Sequence, residues 1–353
     1  MKSGIQFFPD VGPDQKSGRD YWQEALHLVG LCDRYGYDHV RTVEHYFHPY
    51  GGYSPNPMLF LAAAAQRTRR ARLVTGAVLP AFNNPLKLAA EIAMLDALCD
   101  GRLDVGFARA FLPHEFARFG VRLDDSRARF DEGVEQVRRL LEEEHVSVEG
   151  RFHSFRDVTS LPRPTQRPRP PFFVAALATP ESFERAGAAG HGVMAIPMAG
   201  GAMAELLGTY REARARAGHV GSGTVMMAFH MFCHANQQEA ERIARAPLNR
   251  YLRSLVDAAG EWIGGASSVD YPGYDKVIAG LARENFETQV AKCAAWVGTP
   301  ECILDTAATY ASQVGGFEAA SLQVSFNDIA VADAETSMRL YGERVLPRLA
   351  GRG

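Results

Sequence analysis

The chain of 353 residues is short of several things at once, and each shortage removes a class of protein. It has five cysteines, Cys32, Cys99, Cys233, Cys293 and Cys302, odd in number, far apart and without a Cys-x-x-Cys pair. A disulfide framework and a structural zinc site are therefore not expected, and a reducing cytoplasm is the expected compartment. Net charge is nearly absent: 38 basic against 41 acidic side chains give −3, with no run of Lys or Arg. Nothing electrostatic calls for nucleic acid or a membrane surface as partner. The uncharged stretch 186–204 is rich in glycine and broken by His191 and Pro197, the wrong composition for a spanning helix. The apolar run within Met1–Pro9 is too short for a signal peptide, so no targeting segment is expected. G-x-x-x-x-G-K-[ST], G-x-G-x-x-G and G-x-S-x-G are all missing, which removes the usual support for P-loop, dinucleotide-binding and hydrolase readings. Internal repeats and low-complexity tracts are also missing.

What is present is a large apolar supply, 46% of residues with 20 Phe, 12 Tyr and 3 Trp, enough to bury an extensive core around a small-molecule site. Short β-rich runs at 4–8, 38–43, 72–79, 102–107, 172–176, 193–196, 225–234 and 320–325 alternate with amphipathic segments at 21–35, 57–66, 86–98, 127–144, 181–189, 202–217, 240–257, 303–312 and 334–349. Eight apolar strands in β-α order predict parallel strands with crossover helices, and so an α/β fold of the closed (β/α)8 TIM-barrel type. The alternative is two α/β halves joined by the proline-rich stretch 161–171, but composition does not change across it. One domain over 1–353 is expected, with an active-site loop at 108–126 after the fourth strand and a lid-like, mobile insertion at 258–285 between the last two strands.

In such a barrel the chemistry gathers at the carboxyl ends of the strands. Those ends read Phe8-Pro9-Asp10, Glu44-His45-Tyr46-Phe47, Gly76-Ala77-Val78-Leu79-Pro80, Phe107-Ala108-Arg109-Ala110-Phe111 and Ala176-Leu177-Ala178-Thr179-Pro180. His45 is either a base or hydrogen-bond donor at a bound group, or a loop histidine packed among aromatics. A metal site built on Glu44, His45 and His48 lacks further ligands, so no metal is expected. Arg109 is either a clamp for an anion such as phosphate or a surface ion pair. Thr179-Pro180-Glu181 opens a helix whose amino end favours an anion, yet Thr299-Pro300-Glu301 repeats the pattern, and one of the two is an ordinary cap. Phe8, Phe47, Phe111, Leu112 and Phe116 are candidates for the wall around a planar cofactor and an apolar substrate.

These motifs, taken in order, resemble the bacterial-luciferase-like flavin monooxygenases, in particular the catalytic luciferase subunit and its relatives in natural-product biosynthesis. The matching stretches are Gly36-Tyr37-Asp38, Val43-Glu44-His45-Tyr46-Phe47, Thr75-Gly76-Ala77-Val78-Leu79-Pro80 with Asn84-Pro85, Leu95-Asp96, Gly101-Arg102-Leu103 and Phe116-x-x-Phe119-Gly120. They continue through Asp125-Ser126-Arg127, Pro171-Phe172-Phe173-Val174-Ala175, Val297-Gly298-Thr299-Pro300-Glu301-Cys302 and Met338-x-Leu340 with Val345-x-Pro347.

The resemblance implies a TIM barrel that takes reduced FMN (FMNH2) from a separate NAD(P)H:flavin reductase and uses O2, through a C4a-peroxyflavin, to oxygenate a largely apolar metabolite. It implies His45 beside the reactive flavin edge as catalytic residue. Arg109 becomes the phosphate clamp, 176–179 (Ala176, Leu177, Ala178, Thr179) the phosphate loop, and Gly76-Ala77, often joined by a cis bond, the floor under the flavin ring, with Glu44 in the same cofactor site. A cytoplasmic homodimer using helices after the second and third strands is also implied. Ala108 replaces the luciferase's reactive cysteine, Ala176 and Leu177 replace an acidic residue and a serine, and 258–285 differs from its mobile loop, so aldehyde specificity and light emission do not carry over. Two rival readings remain: a deazaflavin (F420)-dependent oxidoreductase, and a non-catalytic flavin-binding subunit.

Overall fold

The alternation of strands and helices closes on itself in the computed structural model, which describes residues 1–350. The strands among them are β1 (Lys2–Phe7), β2 (His39–Thr42), β3 (Arg72–Val78), β4 (Leu103–Phe107), β5 (Val146–Glu149), β6 (Ser154–Val158), β7 (Phe172–Ala175), β8 (Gly192–Ala195), β9 (Val225–Cys233), β10 (Ala295–Gly298) and β11 (Ala319–Gln323). Eight of these, β1, β2, β3, β4, β7, β8, β9 and β11, pair in parallel around a ring that the β8–β9 and β11–β1 pairings close. The expected eight-stranded barrel is therefore the fold. Its strands are buried almost end to end because helices cover the outer face while alternate side chains fill the inside. No helix among the described residues is long and apolar enough to cross a membrane.

The sequence pattern differs from the structure in several places. The expected helix at 21–35 is two helices, Gly18–Val29 and Cys32–Tyr35, parted at Gly30. After the helix Ser126–Glu142 an antiparallel hairpin, β5 with β6, turns at Gly150-Arg151, where a short, largely polar segment carried little strand signal. β10 pairs with the far half of β9, which at nine residues outruns its partner β8. Four residues between a helical turn and a proline are too few to show a period. The rejected alternative, two halves joined by the proline-rich stretch, falls as expected: β4 and β7, on either side of it, are neighbours in one barrel. Arg163 ties this stretch to the carbonyls of Leu140, Leu141 and Glu143, and Gln166 ties it to Asp96 and Leu103.

Inside the barrel the layers differ in chemistry. Val74, Phe173, Met194, Met226 and Ala319 form one apolar cluster. Gly4 leaves room for the His39 ring, whose Nε2 lies 3.0 Å from Ser321 Oγ. Next come Gln6 and Arg41, register partners on β1 and β2, with Gly76 making space for the arginine. The Gly76–Ala77 peptide bond is cis. This inner column is smaller and more polar than the branched apolar filling usual in such barrels, and it leaves the upper half open.

The helix that follows β7, Pro180–Ala188, lies against Gly200–Arg216 with Gly187 at the contact, where an added Cβ would stand 2.2 Å from the Tyr210 carbonyl oxygen. Gly187→Ala is expected to force the two helices apart and lower stability by about 1–3 kcal/mol, read from urea unfolding at constant m-value.

Candidate active site

The open upper half of the barrel forms a cleft of about 1120 Å3, mouth included, walled by the ends of β1, β2, β3, β4, β7 and β8, by Ala228 of β9, by Tyr251 and Leu255 of the helix Gln237–Ala258, and by Tyr274 and Leu281 from the long insertion. Gly76, Ala77, Ala108, Ala175 and Ala176 form a run of small residues along it, so backbone rather than side chains meets whatever lies there. Phe8, Phe111, Tyr50, Tyr251 and Tyr274 supply an aromatic wall on the other side.

His45 stands between these two regions. Its ring is surrounded by Phe8, Tyr50 and Phe111, with centroids 5.4, 5.5 and 6.1 Å away. Gly51, with φ +82°, lets the loop press against the histidine: a Cβ there would be 2.5 Å from His45 Cβ. His45 Nδ1 lies 3.0 Å from Glu115 Oε1, and the Tyr46 N–H donates to the same oxygen at 2.8 Å. A carboxylate only accepts, so Nδ1 carries the proton and Nε2 presents a lone pair to the cleft. Glu115 is fully buried and comes from the helix Pro113–Phe119 in the loop after β4. It thus plays the orienting part of a base–carboxylate pair.

Glu44, the neighbouring residue, is also buried but serves the backbone. It accepts from Tyr46 Oη at 2.6 Å, Asn83 Nδ2 at 3.0 Å and the Leu79 N–H at 3.0 Å, pinning the end of β3 to the end of β2. Burial raises its pKa to about 7 against the pull of those three donors.

A second group of residues gathers cations. Arg109 lines both the main cleft and an adjoining cavity of about 780 Å3, where it meets Arg127, Arg185 and Ser182. Burial, and next the charge of Arg109, lower the pKa of Arg127, whose guanidinium pairs with Glu181 at 3.1 Å. Thr179 opens the helix Pro180–Ala188 without its side chain capping it, whereas Thr299 accepts from the Cys302 N–H at 3.3 Å. The two matching helix starts are thereby told apart. Thr299 is the structural cap, and Thr179 lines the cleft with its hydroxyl free of a capping bond.

The insertion 258–285 closes over this end. Trp262 Nε1 donates to the Phe111 carbonyl at 2.8 Å, Tyr271 Oη to that of Ala110 at 2.8 Å, and Arg109 Nη1 to that of Asp270 at 2.9 Å while stacking on the Tyr271 ring at 4.6 Å.

Of the candidates from the sequence, His45, Glu44, Gly76, Ala77, Arg109, Ala176, Leu177, Thr179, Phe8 and Phe111 share the cleft, while Ala178 is not part of its lining. Three wall candidates are corrected. Phe47 is 53% exposed at φ +64° and packs on Phe119 and Arg118, outside the cleft. Leu112 is buried behind the wall, and Phe116 packs between Phe82 and Tyr271. Aromatic content next to a strand end does not reveal which way each ring turns once the backbone leaves the strand.

Nothing in the sequence singled out Glu115, which reaches His45 across 70 positions. Arg41 did leave a signal: a charge inside an otherwise buried strand, alternating with His39 and Val43 onto the interior face. Arg127 had one too, in the Asp125-Ser126-Arg127 stretch.

A sequence profile described as luciferase-like monooxygenase matches residues 1–315. The chain is 32% identical over 232 residues to the oxygenase component of a flavin-dependent trigonelline monooxygenase of Acinetobacter baylyi, covering 65% of this chain and 64% of that one, less than two thirds of the relative's length. It is 45% identical to the solved monooxygenase RslO1 of Streptomyces bottropensis, with TM-score 0.88 over 99% of this chain and 100% of the other. The oxygenating constituent of 3,6-diketocamphane monooxygenase of Pseudomonas putida, solved in complex with FMN, shares the fold at 21% identity and TM-score 0.83, covering 99% and 98%.

Raised carboxyl pKa values at Glu44 and Asp10, both to about 7 through burial, make the folded protein hold protons that the unfolded chain releases. Their contribution to stability is present below the ordinary carboxyl range and falls as pH rises towards 7, by up to about 1.4 kcal/mol per pH unit for each group. The buried His39, His191 and His230, held well below the usual imidazole range by burial, act in the opposite sense, so the test is a difference: between pH 5 and 7.5 the urea midpoint of Glu44→Gln is expected to rise relative to that of the parent protein.

From the profile match along most of its length and the RslO1 likeness along nearly all of it, the chain belongs to the luciferase-like monooxygenase family.

Proposed function

We propose that this protein is the oxygenase component of a two-component system, using FMNH2 and O2 to oxygenate a largely apolar metabolite of secondary metabolism. The observation that carries the reading is one cleft with three matched parts. At one end Arg109, Arg127 and the free Thr179 hydroxyl at a helix amino terminus suit a phosphate. In the middle Gly76, Ala77, Ala108, Ala175 and Ala176 offer a backbone floor for a planar ring. At the far end His45, backed by Glu115, faces an aromatic chamber. The donor set and the small-residue floor fit FMN, and the FMN-bound fold relative accords with this.

Reduced flavin supplies the two electrons that let one atom of O2 enter the substrate while the other leaves as water. The residues of this chain do the remaining work. Arg109 and Arg127 hold the phosphate, and the aromatic wall excludes water and positions the substrate. His45 holds or moves a proton through Nε2 while Glu115 offsets the charge that then develops on the ring. The reduced cofactor comes from a separate NAD(P)H-dependent reductase, a reading supported by the "oxygenase component" name of the Acinetobacter relative. The insertion 258–285 acts as the lid, held by Trp262, Tyr271 and Asp270.

Assembly as a cytoplasmic homodimer completes the proposal. The helices after β2 and β3, Pro57–Ala65 and Pro85–Leu98, expose Leu59 (73%), Met94 (57%) and Leu98 (46%) on one side of the barrel, an apolar face suited to a symmetric contact. Sedimentation of Leu59→Arg/Met94→Glu is expected to show monomers where the parent protein is dimeric; a parent that sediments as a monomer overturns the assembly.

The central test supplies FMN, a reductase, NADPH and 18O2 to candidate metabolites, and expects one labelled oxygen in the product. An unlabelled product formed with a reduced deazaflavin would instead assign hydride transfer. His45→Ala and Glu115→Gln are expected to lower product formation by about tenfold or more while FMN affinity is kept. Arg109→Ala is expected to weaken FMN binding by about tenfold or more. Equal turnover in the His45 and Glu115 variants removes their assigned roles.

A further inference from the structure

A guanidinium that nothing answers lies at the floor of the cleft. Arg41 extends from β2 into the barrel and is only 6% exposed. Its Nη2 donates to the Gly76 carbonyl at 3.0 Å, while Nε and Nη1 are buried without a partner among the described residues. Burial lowers its pKa to about 10, which leaves it cationic at neutral pH. Arg72, the other arginine rising from a barrel strand, shows the usual arrangement: it grips Asp104 with Nε at 2.7 Å and Nη2 at 2.6 Å.

Next to Arg41 the gap continues. Gln6, its register partner on β1, leaves Oε1 buried and unpartnered while Nε2 reaches Gln323. Both side chains line the cleft. Removing a charge from water without a counter-ion is unfavourable, so a buried cation with two idle nitrogens, Nε and Nη1, is completed by something that arrives from outside.

We propose that Arg41 is a specificity-determining residue that receives an anionic oxygen of the substrate, so that the substrate class is an aromatic metabolite carrying a carboxylate, phenolate or enolate. The proposal rests on the reading of the cleft as the flavin–substrate site and narrows its substrate. The free N–H groups make charge-assisted hydrogen bonds to the oxyanion. Gln6 Oε1 accepts from a neighbouring hydroxyl of the same ligand, and the rings of Phe8, Tyr50 and Tyr251 cover the hydrocarbon body. A neutral hydrocarbon of the same shape leaves the guanidinium buried and unpaired, so it is discriminated against by what it fails to supply.

FMN binding to the parent protein is measured first; its failure overturns the flavin reading, and the comparison below is then run on the unloaded protein, where it still decides the role of Arg41. Calorimetric titration compares 2-naphthoate with its neutral isostere 2-naphthamide on the parent protein, Arg41→Met and Arg41→Lys. The parent is expected to favour naphthoate by about tenfold or more, and Arg41→Met to abolish that preference without losing naphthamide. Thermal unfolding of unloaded Arg41→Met is expected at or above the parent's midpoint, since an unpaired buried charge has been removed; a purely structural arginine would lower it. If Arg41→Met does not fold, Arg41→Lys carries the test, with a weaker naphthoate preference at unchanged naphthamide affinity. Equal binding of both probes by the parent, or a preference that survives in the folded variants, overturns the proposal. So does a variant that keeps the preference but loses its discrimination between reduced and oxidised FMN, for the oxyanion would then belong to the flavin.

Discussion

One carboxylate oxygen, Oε1 of Glu115, accepts from both the ring of His45 and the backbone of Tyr46, and the geometry of the cleft follows from that shared acceptor. The ring bond selects the tautomer, so His45 turns its lone pair to the cavity. The backbone bond fixes the chain as it leaves β2, so Glu44 turns to Leu79 and Asn83 and secures the end of β3. Two strand ends and the loop after β4 are thus held together by two adjacent residues. The arrangement requires Glu115 to be fully buried, which in turn requires the insertion after β4 to fold back over β2 instead of running into solvent.

The fold was largely legible because the signals that specify it are local and repeated. Apolar runs gave the barrel strands, and Asn56-Pro57, Asn84-Pro85 and Thr299-Pro300 are helix starts in which a side chain caps and proline takes the first position. Elements too short or too polar to show a period, namely β5, β6 and β10, were not. The site divided in the same way. His45, Arg109 and Thr179 stand where a strand ends, and position alone marks them. Glu115 and Tyr274 come from insertions, and their place in the cleft depends on long-range packing that has no expression in spacing. Phe47, Leu112 and Phe116 show the converse: a residue at a strand end need not face the cavity once the backbone turns, and Phe47 does so with positive φ.

Charge in this molecule is placed by burial more than by pairing. Its surface carries short-range ion pairs such as Lys87–Glu91 and Arg242–Glu239, which contribute little individually. The cleft works differently. Glu44 is satisfied by neutral donors, Glu115 meets an imidazole and an amide through one oxygen only, and Arg41 has a single carbonyl for one of its three nitrogens. In a low-dielectric site each of these groups interacts more strongly with a bound molecule than it would at the surface. An apolar lining with few charges therefore gives a demanding kind of recognition, in which a ligand is accepted for the complementary group it brings.

The same logic explains why the insertions matter more than their length suggests. Arg109 rises from the barrel, but its guanidinium donates to the carbonyl of Asp270 and stacks on Tyr271, both from the insertion 258–285. The Asp270 carboxylate accepts from Ser126 Oγ at 3.1 Å and from the Arg127 N–H at 2.8 Å, so the insertion is anchored beside Arg109 and Arg127, the two arginines at this end of the cleft. A ligand that draws Arg109 towards itself must take an N–H from the insertion, and an insertion that keeps Arg109 withdraws one donor from the ligand. Occupancy of the cleft and the position of 258–285 are in that way tied through the hydrogen bonds of one side chain, and a change in the sequence of 258–285 alters this end of the cleft without touching the barrel.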